Sequence, residues 1–339
     1  LEKKESVSTL RTGGSYLITG ASGGIARFLA RHLAVHYKAN LYLSARKEVD
    51  SSLIKELEQC GSTVYSLKLD VVDEQSVASA FEKITDIEGI FHLAGISGDS
   101  AILSIEDVSE AEAFRILAPK TIGTVNLLRA AGARHCRFFV GFSSISTILG
   151  GLGFGAYAAA NASMDALLEQ YNISGEIDCY TLGWDGWQLN RDTLPNSIKP
   201  SDALKAMEAI LDSGQKGRYF VASSQIEKRI KDWVLMKESV PYVQPVKPYT
   251  QSEEGIKQEL TSIWKELLAV DHASETDDFT SLGGDSLLAL QMLTMITNRF
   301  SVKVGIRDIM EATTLGELAT LVWQQRHDAN SESREVGEI

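Results

Sequence analysis

The chain has 339 residues, enough for about two domains, and its 33 Lys and Arg against 45 Asp and Glu give a net charge of −12. This acidic balance argues against nucleic-acid binding, which requires a basic face. No run of about 18 apolar residues could cross a membrane, and three widely spaced cysteines indicate neither a disulfide framework nor a zinc site. We therefore expect a cytoplasmic protein with no metal site and no membrane partner. The first residue is Leu1 rather than Met, so we expect a piece of a longer polypeptide.

The charge is distributed unevenly along the chain. Residues 251–339 hold 16 Asp and Glu against 7 Lys and Arg, a net charge of −9, which leaves −3 for residues 1–250. This asymmetry indicates that two segments of different character are joined.

Short apolar runs alternate with helical patterns through the first segment. This alternation predicts a parallel sheet with helices on both faces, a Rossmann-type, doubly wound α/β fold. The predicted strands are SYLIT, LYLS, VYSLKL, GIFHLA, RFFVGF, IDCYTL and RYFVA.

The rest of the chain divides at a cluster of prolines. Three of the six prolines lie in PYVQPVKPYT, so residues 239–252 are predicted to form a stiff linker. After it, helical periodicity predicts a small all-α four-helix bundle over residues 253–326. Residues 327–339 form a polar tail that we expect to be disordered. Residues 1–12 are assigned as an N-terminal linker, which leaves 13–238 for the α/β domain.

A glycine-rich turn, TGASGGIA, directly follows the first predicted strand and begins a helix. Glycines permit a tight turn and close backbone approach, and the helix N-terminus offers free N–H groups to a pyrophosphate. Glycine turns after strands are common, but this position favours dinucleotide binding. The candidate residues are Gly20, Ser22, Gly23, Gly24 and Ile25.

The ends of the next two strands indicate which dinucleotide is bound. The second strand is followed by no Asp or Glu, which would bind the ribose of NAD, but contains Ser44 and is followed by Arg46. An arginine there accommodates the 2′-phosphate of NADP, so we predict NADPH, the alternative being a solvated surface arginine. Asp70, which ends LKLD, either bonds the adenine or caps the following helix.

A serine, a tyrosine and an asparagine occur together in FSSISTILGGLGFGAYAAANASMDALL. Ser144 ends a predicted strand, and Tyr157 and Asn161, four residues apart, share one face of an Ala-rich helix. A phenol with a pKa near ~10 needs a nearby cation to be a competent acid at neutral pH. No lysine follows Tyr157 until Lys199, so the candidate cation is Lys120, on the helix before the Ser144 strand.

This arrangement resembles the ketoreductase domains of modular polyketide synthases and of hybrid or depsipeptide nonribosomal peptide synthetases. They form a branch of the short-chain dehydrogenase/reductases in which the lysine and the asparagine have exchanged positions. The spacings of 24 residues from Lys120 to Ser144, 13 to Tyr157 and 4 to Asn161 are specific in combination. The matching segments, over about residues 13–190, are GGSYLITGASGGIA, FHLAG, PKTIGTVNL, FSSIS, YAAANA and GWDGW.

The resemblance implies a role for each catalytic candidate. Tyr157 would donate the proton and Ser144 would donate a hydrogen bond to the substrate carbonyl. Lys120 would lower the pKa of Tyr157 and contact the nicotinamide ribose, while Asn161 would hold the proton relay. The resemblance also implies further cofactor contacts, at Val71, Ala94 and Gly95.

The sequence also departs from the pattern of this family. Ala26 replaces the last glycine of the turn, which the dinucleotide fingerprint tolerates. The segment ISGDS lacks the Leu-Asp-Asp of one stereochemical class, and Leu149 stands where the opposite class carries Trp, so the product configuration stays unassigned. The N-terminal structural half that the resemblance implies does not precede this segment, and we expect either truncation or support of the domain by a different neighbour.

A serine in LGGDSLLAL, Ser286, begins the second helix of the predicted bundle. It would cap free N–H groups on its own, but DDFTSLGGDSLLALQM resembles the attachment motif of acyl and peptidyl carrier domains. The resemblance covers roughly residues 254–325 and implies a 4′-phosphopantetheine on Ser286, which would make this a phosphoprotein. It also implies that a phosphopantetheinyl transferase and neighbouring synthase domains (condensation or ketosynthase, acyltransferase or adenylation) are partners.

Together the two motifs predict NADPH-dependent reduction of a ketoacyl thioester on the phosphopantetheine arm. A β-ketoacyl group is favoured. An α-ketoacyl group is the alternative, because the carrier motif looks nonribosomal and both stereochemical markers are missing. A further alternative is a reductase-like scaffold without catalytic activity. It is disfavoured because all four catalytic positions carry the residue that the resemblance implies.

Overall fold

The fold is described from a computed structural model that separates into two compact units. The first unit comprises Leu1–Ala101, Val108–Gly150 and Ala156–Ile226, and the second comprises the remainder. The structure describes residues 9–96, 101, 103, 108–151, 153–175, 177–189, 197–234, 252–268, 270–279, 281–284, 286–300, 302, 304–305, 308–309, 312 and 314–335. No helix within these ranges is long and apolar enough to span a membrane.

The first unit is built on a seven-stranded parallel sheet, in which all seven predicted strands form. Its strands are β1 (Ser15–Thr19), β2 (Asn40–Ala45), β3 (Thr63–Lys68), β4 (Gly89–His92), β5 (Phe138–Ser144), β6 (Asp178–Trp184) and β9 (Gly217–Val221). Their order across the sheet is β3-β2-β1-β4-β5-β6-β9. Two short strands, β7 (Gly186–Trp187) and β8 (Ser197–Ile198), pair separately. The predicted doubly wound α/β fold is thus confirmed.

Helices connect the strands, as the alternating pattern predicts. They are α1 (Gly24–Tyr37), α2 (Ser51–Gln59), α3 (Glu74–Glu82), α4 (Glu110–Leu117), α5 (Ile122–Gly132), α6 (Ser146–Leu149), α7 (Gly155–Ser174) and α8 (Pro200–Asp212). After the last strand comes α9 (Ile226–Arg229), which continues as a π-helical turn over Ile230–Val234.

Apolar side chains cover both faces of the sheet. Successive residues of a strand point to opposite faces, so in β1 the neighbours Leu17 and Ile18, both fully buried, belong to different core clusters. Ile18 belongs to the same cluster as Leu29 of α1. Leu17 belongs to the cluster that contains Phe81 of α3 and Leu127 of α5. This double coverage explains why the strands read as continuous apolar runs rather than as alternating ones.

The second unit contains a helical bundle. Its described helices are α10 (Glu253–Leu268), α11 (Ser286–Phe300) and α12 (Leu315–Glu335). The fully buried Trp264 packs against the Phe279 ring, with 5.4 Å between centroids, in a core to which all three helices contribute. Three helices of the predicted four-helix bundle are thus described, and the stretch between Phe300 and Leu315 is described only in part.

The C-terminal tail differs from its prediction. Residues 327–335 continue α12 rather than being disordered, because no glycine or proline interrupts the helix before Gly337. Residues 336–339, the N-terminal linker up to residue 8 and nearly all of the linker over 239–252 lie outside the described residues.

Candidate functional site

The carboxyl ends of three neighbouring strands, β1, β4 and β5, form the candidate site. Thr19 ends β1, His92 ends β4 and Ser144 ends β5. The chain moves outward from β1 to β2 and β3, and then returns to the other side of β1 as β4. Ligands of open parallel sheets bind where the strand order reverses in this way.

The glycine turn approaches the end of β4 closely. Gly20 has a φ of +71°, and a Cβ atom there would lie 2.9 Å from the Ala94 backbone nitrogen. The Gly23 N–H donates to the Gly20 carbonyl (2.9 Å), which closes the turn at the first residue of α1, Gly24. Residues Ser22, Gly23 and Gly24 are exposed, and Ile25 is half-buried. The free N–H groups of α1 are therefore open to an anionic ligand.

The expected cofactor residues at the ends of β2 and β3 have different environments. Arg46 is exposed directly after β2, whereas Ser44 is 1% exposed and its hydroxyl donates to the Ile18 carbonyl (3.4 Å). Asp70 is half-buried and accepts from the Val72 N–H (3.0 Å). Val71 is buried against Gly123, where a Cβ would lie 2.6 Å from its methyl group.

The cap of α3 is the aspartate that follows, not Asp70. Asp73 accepts hydrogen bonds from the N–H groups of Gln75 (2.9 Å) and Ser76 (3.3 Å). Asp73 and not Asp70 therefore caps α3, and adenine binding stays the prediction for Asp70.

The structure brings Ser144, Tyr157 and Asn161 together. The Asn161 amide, fully buried, donates to the Tyr157 carbonyl (3.0 Å), as their separation of one helical turn on α7 predicts. Burial raises the pKa of the Tyr157 phenol, and hydrogen bonds from the Ser144 and Asn161 side chains partly oppose that rise. The phenol is therefore protonated at neutral pH and is held as a donor. The buried Asn161 Oδ1 accepts no hydrogen bond from the described residues, so it can receive one from a water or a ligand.

Lys120 lies in the turn between α4 and α5 rather than on a helix as the sequence suggested. Its ammonium group donates to the Phe142 carbonyl (2.7 Å), two residues before Ser144. Burial lowers the pKa of Lys120 to about 8, and the Asp165 carboxylate partly opposes this. Gly95 makes room for the lysine, because a Cβ there would lie 2.9 Å from Lys120 Cε.

His92 and Thr19, which sequence analysis missed, connect the parts of the site. The buried His92 ring contacts the Thr19 hydroxyl through Nδ1 (2.8 Å) and the Pro119 carbonyl through Nε2 (3.0 Å). Since a carbonyl only accepts, Nε2 carries the proton and Nδ1 accepts from Thr19. Burial lowers the pKa of His92 to about 3, so the ring is neutral. The Thr19 oxygen also accepts the Ala94 N–H (3.1 Å).

The second motif places Ser286 as the first residue of α11. The two glycines before it are required by the local backbone. Gly283 has a φ of +98°, and a Cβ at the buried Gly284 would lie 2.4 Å from the Phe279 ring. The serine is therefore delivered to a helix N-terminus, where a phosphodiester is electrostatically favourable.

The first unit has the features that a nicotinamide dinucleotide needs. The turn at Gly20 leaves space that any Cβ would fill, the N-terminus of α1 is exposed, and a protonated phenol stands at the same edge of the sheet. Within the described ranges no group of three His, Cys, Asp or Glu side chains is placed to bind a metal. The arrangement suits proton donation to a carbonyl oxygen beside a bound hydride donor.

Two family models match the chain. Residues 14–188, just over half of it, match the model described as KR domain. Residues 258–322 match the model described as Phosphopantetheine attachment site. The predicted succession of a reductase and a carrier domain is thus confirmed.

Individual relatives agree with this division. Polyketide synthase PksM of Bacillus subtilis is 26% identical over 347 residues, which cover 92% of this chain but 8% of PksM. Erythronolide synthase EryA2 of Saccharopolyspora erythraea is 32% identical over 180 residues, 51% of this chain and 5% of that one. The solved N-terminal ketoreductase from the macrolactin assembly line is 28% identical with a TM-score of 0.59, covering 68% of this chain and 48% of that chain. The chain therefore spans a small part of the curated relatives that it matches.

Proposed function

The chain belongs to the KR domain family, and from that premise we propose that it reduces a β-ketoacyl thioester with NADPH. The observation that carries the proposal is the convergence of Ser144, Tyr157 and Asn161 at the same edge of the sheet as the glycine turn. The substrate would be carried by a phosphopantetheine arm on Ser286, because the carrier-type domain follows in the same chain.

In this proposal each side chain has one task. The glycine turn would hold NADPH, which would supply the hydride when bound. The Tyr157 hydroxyl donates its proton to the ketone oxygen, and the Ser144 hydroxyl donates a hydrogen bond to the same oxygen. The Lys120 ammonium contributes positive charge, which favours the phenolate that Tyr157 becomes. Asn161 Oδ1 accepts from a water that returns the proton.

The choice of NADPH over NADH depends on the edge of the sheet beyond β2. Arg46 is exposed there, and no acidic residue occurs from Ser44 to Lys47 to repel a 2′-phosphate. The Ser44 hydroxyl supports the strand pair, so Arg46 is the residue to which we assign the preference.

The reduction is tested by following NADPH oxidation with a β-ketoacyl-pantetheine thioester. We expect turnover by the full chain and loss of at least about a hundredfold in kcat for Tyr157→Phe, which keeps the ring and removes the proton. An α-ketoacyl thioester assayed in parallel decides the substrate class, since a preference for it would overturn the β-keto assignment. Absence of NADPH binding by calorimetry would instead support a silent scaffold.

The carrier assignment has its own test. The full chain is incubated with coenzyme A and a phosphopantetheinyl transferase, and its intact mass is measured. We expect the mass of one phosphopantetheine to be added to the wild type and not to Ser286→Ala. A Ser281→Ala variant, altered just upstream, is the matched control and should still be modified. Modification that survives Ser286→Ala would refute the assignment.

A further inference from the structure

A buried carboxylate lies on the helix that carries the proposed proton donor. Asp165, which is 3% exposed, follows Tyr157 by two turns of α7 and Asn161 by one turn. The mechanism proposed above does not use it. A buried carboxylate without a compensating charge is strongly unfavourable, so its partner is informative.

That partner is an arginine from the edge strand of the sheet. Arg218 of β9 places Nη2 2.9 Å from Asp165 Oδ2. The same nitrogen donates to the Thr147 hydroxyl (2.6 Å). The guanidinium carbon also stands 4.7 Å from the centre of the Phe220 ring, which limits its position. Phe220 in turn occupies space left by Gly183, where a Cβ would lie 2.6 Å from that ring.

Thr147 connects Arg218 to Ser144, at the end of β5. Its hydroxyl donates to the Ser144 carbonyl (2.9 Å) at the end of β5. Arg218 therefore joins α7, which presents Tyr157, to the strand end that presents Ser144. Side chains joined through one partly buried charged group have little freedom to move independently.

We infer that Asp165 and Arg218 form a positioning pair that sets the distance between the Ser144 and Tyr157 hydroxyls. The inference rests on the proposed reduction, in which both hydroxyls must reach one ketone oxygen. A displacement of about 1 Å at that point can lower a rate by about a hundredfold. Asp165 and Arg218 touch neither substrate nor cofactor in this scheme and act only through the residues they hold.

The pair also bears on the charge of Lys120. Asp165 raises the pKa of Lys120, against the larger lowering by burial. The charged and polar groups acting on Asp165 itself are Ser143, Arg218, Lys120 and Glu169. Replacing Asp165 by Asn therefore removes a negative charge near Lys120, and the lysine should lose its proton at lower pH.

The test uses the full chain and the thioester assay described above. For Arg218→Gln and Asp165→Asn we expect kcat to fall about 10- to 100-fold with the KM for NADPH unchanged. The double variant should be no worse than either single variant, because the two residues act as a unit. Asp165→Asn should also move the alkaline decline of kcat to lower pH. A kcat equal to that of the wild type in all three variants, or losses that add in the double variant, would overturn the inference.

Matched controls separate positioning from stability. Arg137→Gln breaks a similar ion pair, with Glu88 (3.0 Å), at the amino end of β5, and should leave kcat unchanged. Arg218→Ala, tested with added guanidinium, should regain activity because the arginine is one-third exposed. A variant that loses activity only in proportion to its unfolded fraction, with no rescue, would show a purely structural role.

One further readout does not depend on turnover. In a crystal structure of Arg218→Gln, the Ser144 and Tyr157 hydroxyls should be farther apart than in the wild-type crystal structure. An unchanged separation would overturn the inference even if the enzyme reduces the thioester. A wild type that shows no turnover refutes the proposed function instead, and leaves this distance as the test of the pair.

Discussion

Raising the pH should abolish the proposed reduction by discharging Lys120, with a midpoint expected near pH 8. Burial lowers the pKa of Lys120 from 10.5 to about 8. At pH 7 about 90% of the lysine is then charged, and above pH 8 the charged fraction falls about tenfold per pH unit. We expect kcat for NADPH-dependent thioester reduction to be level below pH 8 and to decline with this slope above it. Tyr157 does not account for such a decline, because burial raises the pKa of its phenol.

The matched variant is Lys120→Arg, which keeps the positive charge at every pH used. Its kcat should be lower throughout, since a guanidinium does not fit the space of the ammonium, and its alkaline decline near pH 8 should be absent. A level wild-type profile up to pH 10, or an alkaline limb retained by Lys120→Arg, would refute the assignment of the limb to this lysine.

The same pKa has a consequence for stability. A base whose folded pKa lies below its unfolded value binds fewer protons when folded, so folding is disfavoured below pH 8 and this penalty is relieved between about pH 8 and 10.5. The shift corresponds to about 3 kcal/mol. Urea unfolding of Lys120→Met, compared with wild type at pH 7 and at pH 10, should show the variant gaining relative stability at the lower pH.

Three more changes test the cofactor side of the site. Gly20→Ala should weaken NADPH binding and destabilise the fold by about 1–3 kcal/mol, because it combines a strained φ with contact at Ala94, as calorimetry and denaturation would measure. His92→Leu leaves the Pro119 carbonyl and the Thr19 hydroxyl without their ring partner, and should lower stability by about 2–4 kcal/mol, with His92→Gln recovering part of it. Arg46→Asp should raise the KM for NADPH and lower that for NADH, and unchanged values for both would assign cofactor choice elsewhere.

Gly214→Ala is the control for the glycine prediction. Gly214 has a φ of +65°, but no atom lies within 4 Å of an added Cβ. It therefore carries the backbone strain of Gly20→Ala without the close approach to Ala94. If both variants bind NADPH equally weakly, the close approach is not the cause.

Local patterns in the sequence were sufficient for the fold and for the identity of the candidate site. Apolar runs of strand length, glycines after the first run and a Tyr and Asn four residues apart are properties of short segments, and each formed as predicted. The sequence determined the ends of the helices less well. Lys120 was assigned to a helix and lies in a turn, and α12 extends to Glu335, because helix ends depend on propensities that differ little between neighbouring residues.

Only the tertiary structure could identify the residues that hold the site together. His92 and Thr19 are far apart in sequence, as are Asp165 and Arg218. Thr19, His92 and Asp165 lie within segments quoted above, but nothing in those segments indicates which distant residue each one contacts. Because β1 and β4 are neighbours in the sheet, Thr19 and His92 meet at their carboxyl ends. Because β9 is the outermost strand, Arg218 can reach α7. The pKa of Lys120 likewise depends on the tertiary structure. Burial lowers it to about 8, and the spacing of residues in the sequence does not indicate how deeply the lysine is buried.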